Sequence, residues 1–129
     1  MGNGTELGRV RGLGSSQEGA HHWWHQRLTA AANLLLMVWF LASIARLPAY
    51  DYDTVHLWMA SAWVAIPMIL LIVSVFYHFR LGLQVLIEDY QHGESRVVTL
   101  VLLNFFTIAA AAIAIFSILR IAFSAGAPA

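Results

Sequence analysis

His78 stands inside a long apolar run, with Gly82 four residues on and the pair Asp89-Tyr90 eleven and twelve residues on. An ionisable side chain within lipid is costly unless it is paired or functional, so this histidine needs a reason. Counting back from Glu88 at about 1.5 Å per helical residue puts His78 roughly 15 Å below the surface, close to the bilayer centre. A neutral imidazole at that depth needs a hydrogen-bond partner or a metal, and histidine is the common axial ligand of haem iron. Gly82 lies on the same helix face, where a missing side chain lets a flat macrocycle approach the backbone. A histidine hydrogen-bonded to a neighbouring helix meets the same burial cost. On spacing alone both readings stay open.

The other polar residues carry weaker signals. The Tyr90 phenol is a neutral donor at pH 7 that suits a quinone carbonyl, and the Asp89 carboxylate can position an arginine or relay a proton. An interfacial tyrosine beside a solvated aspartate would look the same. Arg80 is two positions beyond His78 and faces away from it, which suits snorkelling or pairing with an acid or an anionic lipid. Arg27 stands where the first span enters the membrane, where it can neutralise haem propionates or act as an ordinary flanking cation. His21 and His25 are spaced i, i+4 but lack a third ligand, so they make a poor metal site. His22 and His92 read as interfacial, and Asn33 and Asn104 as hydrogen-bonding ties between helices.

Three apolar segments must position these groups, at about 28–47, 55–87 and 97–123. Each exceeds the roughly 20 helical residues that cross a hydrocarbon core of about 30 Å. The second is too long for one upright span and is expected to tilt or to project its C-terminal end. No alternation of period two is sustained, which argues against a β-barrel. The fold class is therefore an all-α membrane protein of three transmembrane helices. Short links at 48–54 and 88–96 make neighbouring helices antiparallel. Arg9, Arg11, Arg27 and Arg96 against Arg46 and Arg120 place the N-terminus in the cytoplasm. Residues 1–20, glycine-rich and without period, read as a flexible or partner-ordered tail, and HHWWHQR at 21–27 as an interfacial stretch. The first apolar run begins too far in for a cleaved signal peptide, so the tail is expected to be retained. The Ala109–Ala112 run with Ala114 allows close helix contact, within the chain or with a partner.

Composition agrees. Of 129 residues, 60% are hydrophobic and 11% charged, whereas ordinary soluble domains carry roughly 25% charge. Seven arginines balance seven acids, with no basic patch of the kind nucleic acid requires. With no cysteine, the chain holds no thiolate-ligated cluster of its own.

Taken together, YHFRLGLQVLIEDYQH at 77–92 resembles the small hydrophobic membrane-anchor subunit (the D-type subunit) of succinate dehydrogenase, respiratory complex II. His78, Gly82, Asp89 and Tyr90 match that family's pattern of histidine, glycine four residues on, and Asp-Tyr eleven and twelve residues after the histidine. HHWWHQRLTA at 21–30 resembles the bacterial form. The resemblance covers about residues 20–123; Arg80, at a variable position, and a longer glycine-rich tail are its small departures.

The resemblance implies a subunit of succinate:ubiquinone oxidoreductase in the bacterial cytoplasmic membrane, part of the tricarboxylic acid cycle and not active alone. It implies His78 as an axial ligand of haem b, the other ligand coming from a second, cytochrome b-type anchor subunit. Tyr90 is then the ubiquinone contact and Asp89 its supporting acid. Arg27, with His21 a less certain neighbour, contacts the haem propionates. Flavoprotein and iron–sulfur subunits dock onto the anchor and supply its electrons. The anchor of a related quinol:fumarate reductase and a non-redox structural membrane subunit are the alternatives, and only the resemblance favours the dehydrogenase direction.

Overall fold

The computed structural model describes residues 17–124, so most of the tail read over 1–20 lies outside the described residues. Four helices follow in order: α1 (Gln17–Ala45), α2 (Tyr52–Ala60), α3 (Ala62–Tyr90) and α4 (Glu94–Ser124). Among the described residues there is no strand. Three of the helices, over Gly19–Ala45, Ala62–Tyr90 and Glu94–Ser124, are long and apolar enough to cross a membrane. The chain is a multi-pass membrane protein.

Two boundaries differ from the sequence reading. HHWWHQR is continuous with the first span, forming the second and third turns of α1, with Arg27 stacked on Trp23 one turn back at 5.2 Å. The long segment 55–87 is also not one element. It breaks at Ser61, whose extended backbone (φ −68°, ψ 130°) ends α2 and starts α3. As one helix those residues would run about 50 Å against a core of roughly 30 Å. The break at Ser61 shortens the span to α3, whose 29 residues still run about 44 Å and so exceed the core by several residues.

Local chemistry explains the turns. Asp51 caps α2 by accepting the Thr54 hydroxyl at 2.7 Å and the Thr54 N–H at 3.1 Å, the usual service of an N-cap carboxylate. Those two bonds, the hydroxyl's first, hold the Asp51 carboxyl below its ordinary value. Between α3 and α4, Gly93 takes φ 68°, a conformation that a side chain would strain.

α3 is the central helix, packed on α1 along one side and on α4 along another, with α2 resting on α3 and α4. The core gathers Val64, Ala65, Met68, Leu71 and Ile118 around the α2 end, with Trp39, Phe40 and Trp58 against it. The Trp58 indole N–H donates to the Ser43 hydroxyl at 3.1 Å and ties α2 to α1. Elsewhere large apolar side chains face outward: Trp63 is 88% and Phe123 84% exposed. Water would not tolerate that surface, whereas lipid or partner helices cover it without penalty.

Arg80 is settled within the bundle. Its Nε donates to the Asn104 side-chain carbonyl on α4, which leaves its four Nη hydrogens for other partners. Asn104 thus ties α3 to α4 as its type suggested, while Asn33 Oδ1 is buried without a partner. Replacing Asn104 by Leu strands a guanidinium donor within the span and is expected to cost about 1–3 kcal/mol. Detergent-titrated unfolding of the assembled protein measures it. Thr107→Val is the control, since its hydroxyl bonds only its own helix, at Leu103 O (2.8 Å); equal losses in the two variants would remove the cross-helix bond from the account.

Candidate functional site

His78 lies midway along α3, half-buried and turned toward α1. Its Nδ1 is 3.0 Å from the Thr29 hydroxyl. The hydroxyl also reaches the carbonyl oxygens of His25 (2.9 Å) and Gln26 (3.1 Å), one turn back along α1. A threonine hydroxyl has one proton to give, and a carbonyl oxygen can only accept. That proton can go to His78, which leaves the ring hydrogen on Nε2, or to its own helix, in which case the Thr29 oxygen meets His78 with a lone pair and Nδ1 carries the hydrogen. In the second case the ring's other nitrogen, Nε2, is the one with a free electron pair.

The neighbouring-helix hydrogen bond weighed for His78 is therefore present, and it does not exclude a metal. A ligating histidine commonly donates its non-ligating N–H to an acceptor, which fixes both tautomer and ring orientation. The Gly82 side of α3 also has room. A Cβ built there meets nothing within 4 Å, so no packing inside this chain demands the glycine. Together, a histidine with Nε2 free to ligate and an open glycine face four residues on fit an axially ligated haem.

The remaining candidate residues are spread over α3 and α1. Asp89 and Tyr90 form the last turn of α3, which continues to Tyr90 before Gln91 caps it through its N–H on Ile87 O (2.8 Å). Helix periodicity puts Asp89, at i+11, on the same stripe as His78 and Gly82, with Tyr90 about 100° further round and roughly 18 Å along the axis from His78. Tyr90 is 78% exposed. It borders a shallow apolar cleft of about 270 Å³ with Leu86, Ile87 and Gln91, and Gln91 Oε1 is buried there without a partner. A phenol at such an edge can donate to a carbonyl that approaches from outside the chain.

Arg27 does not come next to His78. It lies two positions from Thr29, about 200° around α1, with its guanidinium over Trp23. His21 is exposed, its ring 6.5 Å from that of His25. His25 turns to α3 instead, with Nδ1 3.3 Å from the Tyr77 hydroxyl. No cluster of three metal-ligating side chains occurs among the described residues. Sequence reasoning missed Thr29 altogether. Its pairing with His78 spans 49 residues, and one threonine in an apolar helix gives no signal of its partner.

Comparison with known proteins sharpens this picture. A family profile described as "Succinate dehydrogenase/Fumarate reductase transmembrane subunit" matches residues 1–119. A succinate dehydrogenase hydrophobic membrane anchor subunit of Rickettsia bellii (strain RML369-C) is 29% identical over 116 residues, 87% of this chain and 93% of that one. The same-named subunit of Paracoccus denitrificans is 26% identical over 116 residues, covering 90% of each chain. A succinate dehydrogenase membrane anchor subunit of Reclinomonas americana is 31% identical over 93 residues, 69% of this chain and 78% of that one. No solved structure gives a significant match. With three membrane-spanning helices and a family match over nearly its whole length, the chain belongs to the succinate dehydrogenase/fumarate reductase transmembrane subunits, as a membrane anchor of the succinate dehydrogenase kind.

Proposed function

We propose that this anchor helps to bind a haem b and forms part of a ubiquinone site in succinate:ubiquinone oxidoreductase, holding the flavoprotein and iron–sulfur subunits at the membrane. One observation carries the reading: Thr29 meets His78 at Nδ1, which keeps Nε2 out of that contact and available as a ligand, beside the open Gly82 face. His78 would hold the haem from this chain, together with a residue of a cytochrome b-type anchor subunit; so held, the group would supply single-electron transfer rather than oxygen chemistry.

The rest falls to the chain's own side chains. Tyr90 orients the quinone by donating its hydroxyl to a quinone carbonyl, and Asp89 or water delivers protons to the reduced oxygens. Arg27 attracts propionates at the membrane surface, and His21, nearer the start of α1, is a further contact for them. The N-terminus and the α3–α4 turn face the bacterial cytoplasm, where Arg27 and Arg96 gather. Succinate itself is oxidised on the flavoprotein, so the anchor has no activity alone. The names of the relatives favour the dehydrogenase direction over fumarate reduction.

The test is the intact complex, purified through a tag on this chain. It should carry a flavoprotein and an iron–sulfur protein and show the visible spectrum of a bis-histidine haem reduced by succinate. A complex with those partners and no haem signal would confine the chain to anchoring. Absence of the partners would leave a structural membrane subunit instead.

A further inference from the structure

Thr29 is gripped by α3 at two points. Its hydroxyl meets His78 Nδ1 at 3.0 Å, and its carbonyl oxygen accepts the Ser74 hydroxyl at 3.4 Å, one turn before His78 on α3. The two contacts set the height and rotation of α1 against α3 at the level of the histidine. The hydroxyl has His25 O and Gln26 O within reach as acceptors for its proton, which lets its oxygen accept from the ring.

We infer that Thr29 is a positioning residue for the His78 ligand, its hydroxyl oxygen accepting the Nδ1 hydrogen and so fixing the tautomer, the ring plane and the electron-donating strength of Nε2. This rests on the reading of His78 as an axial ligand, and it adds a determinant that lies on a different helix. The physical consequence has a sign. An acceptor on Nδ1–H makes the imidazole more basic at Nε2, which favours the oxidised, more positive iron and lowers the reduction potential. Removing the acceptor raises the potential and weakens hold on the group. Acceptors around ligating histidines typically change affinity by about 10–100-fold. The low-dielectric interior strengthens such a bond, and a competing water has little room there.

Three substitutions in the whole complex separate this role from packing. Thr29→Val keeps the shape and removes the oxygen, Thr29→Ala removes both, and Thr29→Ser keeps the oxygen. Haem midpoint potential is read by redox titration of the visible spectrum, and ligand-plane orientation by electron paramagnetic resonance of the oxidised haem. If the hydroxyl acts as inferred, Val and Ala both raise the potential and alter the resonance, while Ser stays near the parent protein. If Thr29 only fills space, Val matches the parent and Ala alone departs, and the inference fails. Should Val not assemble, Ala against Ser decides on the same two readouts, a shared departure from the parent counting against the hydroxyl. The haem reading stands or falls separately, on whether the unsubstituted complex shows a bis-histidine haem at all.

Discussion

Replacing His78 by Leu is expected to abolish the bis-histidine haem signal of the assembled complex. Leucine keeps the apolar volume at that depth and removes the only nitrogen donor on this stripe of α3. The loss should exceed the roughly 10–100-fold change in affinity that outer partners of a ligand cause, because an axial bond itself disappears. The helix should tolerate the change. His78 is half-buried, its one cross-helix bond is to Thr29, and the Thr29 hydroxyl keeps its proton on the α1 carbonyls once the ring has gone. Haem content relative to protein, with the reduced-minus-oxidised spectrum, measures the outcome. Copurification of the catalytic subunits shows in the same sample that the anchor is assembled. A complex that retains stoichiometric, low-spin haem after this substitution would exclude His78 as a ligand.

The same residue shows what a single sequence can and cannot convey. Apolar run length is a local property, so three spans could be counted directly, and the cost of burying an imidazole flagged His78 before any contact was known. Neither signal tells how helices are rotated against each other. In a soluble helix a polar face marks the outside. Here the outside is also apolar, as Leu35 at 72% and Ile108 at 67% exposure show, and the cue is lost. Thr29 facing His78, Tyr77 facing His25 and Asn104 taking Arg80 all depend on that rotation. The break at Ser61 was hidden for a different reason. Length mismatch required the 55–87 segment to do something, but the physical options of tilt, projection and fracture carry similar costs, and the serine makes no side-chain capping bond to announce the choice. The Asp-Tyr pair was legible as residues and not as a site. Its exposure in the chain alone means that the walls of any quinone pocket come largely from elsewhere.

That exposure makes Tyr90→Phe the sharpest probe of the quinone reading. The substitution removes one oxygen from a side chain that makes few contacts within its own subunit, so the anchor should fold and assemble unchanged. A neutral hydrogen bond contributes about 0.5–1.5 kcal/mol net. A donor aimed at an oxygen where negative charge develops is worth more, up to about 10²–10³ in rate. The expected result lies between these limits: quinone reduction by succinate falls at least tenfold, while succinate oxidation with a soluble dye, which takes electrons upstream of the anchor, is untouched. Asp89→Asn should have the smaller effect, because water can deliver protons at this exposed turn. The pattern across the two assays carries the argument. Survival of both activities would leave Tyr90 an ordinary interfacial tyrosine. A parallel fall in both would show that the end of α3 matters for docking the catalytic subunits, and the phenol would then lose its place as the quinone's hydrogen-bond donor.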